Sequence, residues 1–312
     1  MEIYTASTGF KILKKFVKQR YLFIMIAPAV ILTAVFSYIP LAGWYMAFVD
    51  YTAGKNLWKC DWIGLKQFKT FFTMTTDFGY LMRNTLVINL VNLFLGLTLA
   101  MVFALLLKEL PGGFFKRTVQ TASFFPFFIS WVVVFSLFTG LLAVNSGALN
   151  YTMVKLGLLK EGINVLGEGK YAWPLIWLTM IWKNTGYNAT IFLASISGIS
   201  KEQYESADID GAGRFQKITY ITIPNLVSTL IVLLVINSGY LLRSSLDMFF
   251  MFTNSTNWEY MEVLDMYIYK FGLKLGDYSY ATAVGIMMTV ASIILLLCVN
   301  GLSKRFSGRA IL

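Results

Sequence analysis

The chain has 312 residues, 57% of them hydrophobic and 13% charged, with 26 Lys/Arg, 16 Asp/Glu and no His, for a formal net charge of +10. A soluble domain carries about 25% charged residues, so a charged-surface globule is excluded and lipid is the solvent that this composition fits. The lack of His excludes His-based catalysis and the usual His metal ligands, and Cys60 and Cys298 are too few and too far apart for a disulfide framework or a metal cluster.

Residues 1–20 form a basic tail carrying Lys11, Lys14, Lys15, Lys18 and Arg20. No small-residue cleavage site follows the first apolar run, which reads as a retained anchor. A helix needs about 20 mostly apolar residues to cross about 30 Å of hydrocarbon. Six segments meet that requirement: residues 21–38, 86–107, 119–142, 173–193, 226–242 and 281–299. None alternates as the strands of an outer-membrane barrel do, so the expected fold is an all-α integral membrane protein with six transmembrane helices. The expected organisation is a tail over 1–20, a first helix with an outer interfacial segment over 21–80, a five-helix core over 81–302 that contains a polar loop at 200–224, and a basic tail over 303–312.

The connecting segments differ in character. Within 41–80, Trp62-Ile63-Gly64-Leu65 with Phe68, Phe71 and Phe72 predicts a short amphipathic helix at the interface. Residues 144–170 read as an irregular glycine-rich loop. Residues 246–278 mix Met, Phe, Trp and Tyr with acids, which suits either a surface for a protein or sugar or an interfacial aromatic belt. The presumed inner segments hold fourteen Lys/Arg against six Asp/Glu, and the outer ones nine against ten. Basic residues favour the cytoplasmic side, so both termini are expected there. The same bias assigns the excess charge to topology and anionic lipid, with no nucleic-acid partner.

The loop at 200–224 is a charged island between two apolar runs. Ser200 is a credible N-cap with Gln203 at capping-box spacing. Residues 201–208 predict a short helix, Gly211 and Gly213 a sharp turn, and residues 214–223 a second short helix, with Pro224 in the first turn of the next span. Ala207 and Ala212 offer small surfaces for close approach. An ordered polar loop beside the membrane points to a partner in the water.

Glu205-Ser206-Ala207, Asp210-Gly211-Ala212, Phe215 and Ile221-Thr222-Ile223-Pro224 resemble the signature loop of binding-protein-dependent ABC importer permeases. That family's pattern opens on Glu-Ala-Ala, places a Gly soon after and closes on Ile-x-Leu-Pro. Here Ser206 replaces the first Ala and Ile223 the Leu, and Asp210-Gly211 comes slightly early. The resemblance extends over nearly the whole chain, through Tyr38-Ile39-Pro40, Trp62-Ile63-Gly64-Leu65, Val263-Leu264-Asp265-Met266-Tyr267, Tyr278-Ser279-Tyr280 and Asn300. Together these are similar to the polysaccharide-permease branch of carbohydrate ABC importers, in particular its first membrane subunit, and to maltose-type importer membrane subunits.

The resemblance implies a type I importer permease fold and a multi-pass subunit of the bacterial inner (plasma) membrane. It implies four kinds of partner: a second homologous permease, two ATP-binding cassette subunits, an extracytoplasmic solute-binding protein and an oligosaccharide cargo. ATP and Mg would sit on the ATPase subunits, with no cofactor bound by this chain. The loop would be the coupling helix, seated in a groove of the ATPase. Glu205 would pair with a basic group there and Gly211 would make the turn.

Polar groups inside the spans point to a substrate path, because such groups are costly in lipid. Lys183, Asn184, Tyr187 and Asn188 occur in the fourth span, with Lys183 and Tyr187 on one helix face, and Gly186 allows a break or close packing. Asn237, Tyr240 and Arg243 follow in the fifth, and Asn89 with Asn92 in the second. Carbohydrate hydroxyls need such amide and guanidinium groups, and aromatic faces for the apolar side of the ring. Each Asn equally suits an interhelical hydrogen bond. Lys183 and Arg243 equally suit snorkelling or a carboxylate partner such as Asp247. As path residues, the two cations favour an acidic oligosaccharide, such as one containing uronate.

The chain lacks Gly-x4-Gly-Lys-Ser/Thr, so it has no ATPase of its own. No base stands near a Ser or Thr in the spans, so it is not expected to be an enzyme. The alternative is an ion-coupled secondary sugar transporter, which usually keeps Asp, Glu or His in its spans. The six predicted segments hold none of these.

Overall fold

A computed structural model of the chain describes residues 19–73 and 75–307. Lys11, Lys14, Lys15, Lys18 and Arg309 of the basic tails lie outside the described residues. No strand occurs among the described residues beyond one isolated antiparallel bridge, Val49–Trp62.

In chain order the elements are α1 (Arg20–Thr33), α2 (Lys66–Thr73), α3 (Thr75–Glu109), α4 (Phe114–Phe124), α5 (Trp131–Leu142), α6 (Ala148–Lys155), α7 (Gly169–Ser197) and α8 (Lys201–Ile209). They continue with α9 (Arg214–Ser238), α10 (Leu246–Phe252), α11 (Trp258–Met261), α12 (Leu264–Tyr269) and α13 (Tyr278–Ser307). Among the described residues, four helices are long and apolar enough to cross a membrane: Arg20–Phe48, Phe78–Glu109, Arg214–Ser238 and Tyr278–Arg305. Helix α7 has the length, 29 residues, or about 43 Å at 1.5 Å per residue. Lys183, Asn184, Asn188 and three threonines dilute its apolar run.

The predicted third span is not one straight helix. Phe114–Phe128 and Trp131–Leu142 meet at 108°. Pro126 removes a backbone donor, and the chain turns extended at Ile129 and Ser130. The predicted fifth span also differs at both ends. The expected second short helix is continuous with it, and it stops at Ser238, leaving Tyr240 and Arg243 in the turn that follows. Pro224 therefore lies inside a continuous helix rather than in the first turn of a new one. It has no N–H for the preceding turn. The helix widens to a π turn over Ile218–Thr222 just before it, and the Ile223 amide reaches back to the Ile218 carbonyl. Residues 144–170 are less irregular than expected, since α6 lies within them. The short amphipathic helix expected in 41–80 is α2.

Small residues set how closely the core helices pack. Ala100 and Ala104 of α3 and Ala189 of α7 are fully buried with Phe192, Ile196 and Leu226. Gly186 allows the tightest approach. A Cβ there would lie 2.0 Å from the Ser123 carbonyl oxygen and 2.7 Å from the Phe124 nitrogen, so α7 and α4 touch backbone to backbone. Helix α1 buries none of its residues.

Candidate functional site: a polar-loop knob and an interhelical cavity

Residues 200–224 fold into a knob. The Ser200 hydroxyl accepts from the Glu202 amide at 3.2 Å and starts α8. Gln203 does not complete the expected capping box. Its side-chain Oε1 instead accepts from the Asn225 side-chain amide at 3.4 Å. Helix α8 ends in a Schellman arrangement. The Gly211 amide donates to the Asp208 carbonyl at 3.1 Å and the Ala212 amide to the Ala207 carbonyl at 2.8 Å. Gly211 has φ +72°, a left-handed conformation that glycine adopts freely. The Gln216 side chain then accepts from the Gly213 amide at 2.7 Å and starts α9.

The knob has a held face and an open face. On the held face, Ala207 and Ala212 are half-buried. Lys217 bonds to Asp208 across the turn, and Arg214 pairs with Glu109 at 2.6 Å. On the open face Glu205, Ser206 and Asp210 are exposed. Ile209 and Phe215 are 88% and 82% exposed. Large exposed apolar side chains on a knob whose Glu205 has no ion pair among the described residues suit a protein partner, since lone water-facing loops gain nothing from them.

The second feature is a cavity of about 280 Å³ between α3, α7 and the end of α9. It gathers eight of the nine expected path residues: Asn89 and Asn92 from α3, Asn184, Tyr187 and Asn188 from α7, Asn237 from α9, and Tyr240 and Arg243 from the turn. Gly96 of α3 and Phe127 at the break between α4 and α5 complete the wall. Asn184 and Asn237 donate to carbonyls of their own helices at 2.8 and 2.7 Å. Among the described residues, the half-buried amides of Asn92 and Asn188 have no hydrogen-bond partner. A half-buried amide without a partner is a place for a ligand hydroxyl. The Tyr187 ring stacks on Phe127 with centroids 4.1 Å apart.

Two expected path residues are better explained by structure. Asn89 lines the cavity, but its amide also donates to the Leu241 carbonyl at 2.9 Å and the Ser244 hydroxyl at 3.1 Å, which fixes the turn that carries Arg243. Lys183 is not in the cavity wall. It is buried, and its ammonium donates to the carbonyls of Pro126 at 3.0 Å, Phe127 at 2.8 Å and Ile129. Its cation meets the free carbonyl end of a helix, where positive charge is favoured. The expectation that Lys183 selects an acidic cargo is corrected accordingly: its charge is used on the break between α4 and α5.

Hydrogen bonds to charged groups contribute about 1.5–3 kcal/mol each. Lys183→Met should therefore lower the thermal midpoint of the purified complex by several degrees, while leaving its preference between acidic and neutral cargo as it was. Thermal unfolding measured beside uptake of both cargoes checks this.

Arg243 makes no ion pair with Asp247 or any other carboxylate among the described residues. Asp265 of α12 feels its charge from further off. Burial pushes the Asp265 carboxyl above its ordinary range, against the opposing effects of the Ser244 amide, 2.6 Å away, and of Arg243. The aromatic packing of Phe124 and Phe127 on Tyr187 was not foreseen. The run Phe124–Phe128 around Pro126 was its signal in the sequence. Among the described residues no group of three or more His, Cys, Asp or Glu side chains is placed to hold a metal ion.

Comparison with known proteins agrees with this architecture. Residues 93–311 match the family described as binding-protein-dependent transport system inner membrane component. The chain is 38% identical to the polygalacturonan/rhamnogalacturonan transport system permease protein YteP of Bacillus subtilis (strain 168), over 96% of this chain and 93% of that protein. It is 35% identical to protein LplB of the same organism, over 97% and 95%. Among solved structures it is similar to a chain of a bacterial ABC transporter that imports the acidic polysaccharide alginate. The TM-score is 0.86 at 32% identity, over 95% of this chain and 99% of that one. The match is as good to that transporter in complex with an alginate pentasaccharide-bound periplasmic protein.

Proposed function

We propose a function from one premise: the chain belongs to the family of binding-protein-dependent transport system inner membrane components. It is the permease subunit of an ABC importer for oligosaccharides. Family membership sets aside the ion-coupled carrier, because importers of this class take their cargo from a binding protein.

The cargo is an acidic oligosaccharide derived from a polysaccharide. One observation carries this reading: Arg243, without a carboxylate partner among the described residues, shares a cavity with the unpaired amides of Asn92 and Asn188 and the rings of Tyr187 and Tyr240. Guanidinium binds a carboxylate in a bidentate fork, amides bind hydroxyls, and rings cover the apolar side of a sugar. The relatives named for polygalacturonan/rhamnogalacturonan and for alginate support the same class.

The assembly comprises this chain, a second homologous permease and two ATPase subunits, which hold ATP and Mg. A solute-binding protein docks on the outer loops. Six helices span the inner membrane, with α4 and α5 as one bent span, and both termini are cytoplasmic. Closure of the ATPases on ATP displaces the knob, with Glu205, Ile209 and Phe215 in the ATPase groove. The spans then turn the cavity from one side to the other. The transition is a two-state equilibrium biased at two distant sites by differential contacts.

The test uses the reconstituted transporter and uronate oligosaccharides, intact or carboxyl-reduced, at one chain length. Arg243→Gln should weaken uptake of the acidic form about tenfold, the loss of roughly 1.4 kcal/mol, and change the reduced form little. Equal uptake of the acidic form by variant and wild type would remove Arg243 from cargo recognition.

A further inference from the structure

The end of α3 is clasped to the knob by a half-buried polar cluster that the mechanism above does not use. The Lys108 ammonium donates to the Tyr204 hydroxyl and to the Thr222 hydroxyl, both at 3.0 Å. Those two hydroxyls bond to each other at 2.9 Å. The ammonium also lies 4.2 Å from the centre of the Tyr204 ring. Thr222 is fully buried. Lys116 donates to the Lys108 carbonyl at 3.2 Å, and Glu109 holds Arg214 in the adjacent turn.

Each member belongs to a different part of the machine. Tyr204 sits on α8, one residue before Glu205. Thr222 closes the π turn of α9. Lys108 is in the last turn of the 35-residue helix whose middle bears Asn92 and Gly96 of the cavity wall. Lys108 and Asn92 are sixteen positions apart in one helix, about 24 Å along its axis. Between them Ala100, Ala104 and Leu107 are buried, the two alanines against α7 and α9, so this part of α3 is packed along its length.

We propose that Lys108 is a positioning residue that carries displacement of the knob into α3, and through α3 to the cavity wall. The proposal rests on the reading of residues 200–224 as the ATPase-contacting knob. Lysine suits the role because one ammonium can bond both hydroxyls at once and keep the two sides of the knob in step with the helix end. A methionine fills the same space without any of those bonds.

The test measures oligosaccharide uptake and ATP turnover together in the full reconstituted transporter. Lys108→Met should co-purify with its partners in wild-type ratio and keep basal ATP turnover. Its uptake should fall at least tenfold, and the loaded binding protein should no longer stimulate turnover. Lys108→Arg should restore part of the stimulation. Wild-type stimulation and uptake in Lys108→Met would overturn the proposal. So would a loss of uptake that only follows a loss of assembled complex, with the ATP hydrolysed per sugar unchanged. Should Lys108→Met not assemble, Tyr204→Phe with Thr222→Val removes both acceptors and keeps the charge, and normal coupling there overturns the proposal equally. Glu205→Ala in the same assay reads the knob itself. If it couples normally, the knob reading fails; if it uncouples while the Lys108 variants couple normally, only the present proposal fails.

Discussion

Glu205→Ala should reduce ATP-driven uptake by tenfold or more while the subunit still folds and inserts. The side chain is exposed and makes no hydrogen bond or ion pair among the described residues. Its removal therefore takes nothing from the internal bonding of the knob. Alanine is the best helix former, and the capping of α8 rests on Ser200, Gly211 and Ala212. What the carboxylate can lose is a bond across an interface. Removing one partner of a buried, hydrogen-bonded charge pair at an interface costs about 2–5 kcal/mol. The exposed Ile209, one turn further along α8, and Phe215 on the same knob would help exclude water from such a pair. Co-purification should survive in part through those apolar contacts, and stimulated ATP turnover should fall with uptake. Full stimulated uptake by the variant would remove Glu205 from the coupling contact.

Gly186→Val should abolish accumulation of the subunit in the membrane, and even Gly186→Ala should destabilise it by about 3 kcal/mol or more. Overpacking of a close contact usually costs about 1–3 kcal/mol, and more where neighbours cannot move. Here the neighbours are backbone atoms. The new Cβ would lie 2.0 Å from the Ser123 oxygen, 2.3 Å from its carbonyl carbon and 2.7 Å from the Phe124 nitrogen. Separating α7 from α4 to make room would also draw Lys183 from the three carbonyls it holds and Tyr187 from Phe127. Gly285→Ala in α13 is the control, since a Cβ there meets nothing within 4 Å. Membrane yield and the thermal midpoint of the purified subunit should drop only for the Gly186 variants. Normal yield and stability of Gly186→Ala would contradict the packing described between α7 and α4.

The knob was legible because its signals are local. A charged island between apolar runs has one place to go, and the left-handed turn at Gly211 needs only a glycine in the right register. The amide-bearing positions were legible for a different reason: Asn and Arg in apolar helices demand an explanation wherever they stand. Eight of the nine polar positions singled out in the apolar runs line one cavity. The role of Lys183 was not legible. Its three acceptors come from residues 126–129, more than fifty positions earlier, and no periodicity within α7 reports a tertiary partner. The 108° break was hidden in the same way. Hydropathy counts apolar residues and is blind to direction, so Pro126 was its single local mark. The continuity of α9 through Pro224 depends on a π turn, which average propensities do not anticipate.

The most direct measurement is uptake into proteoliposomes that contain this chain with its partner permease, both ATPase subunits and the loaded solute-binding protein. Enclosed ATP and Mg should drive accumulation of an acidic oligosaccharide in the absence of any ion gradient, and a proton or sodium gradient without ATP should drive none. Accumulation on an ion gradient alone, or none with ATP present, would contradict the account.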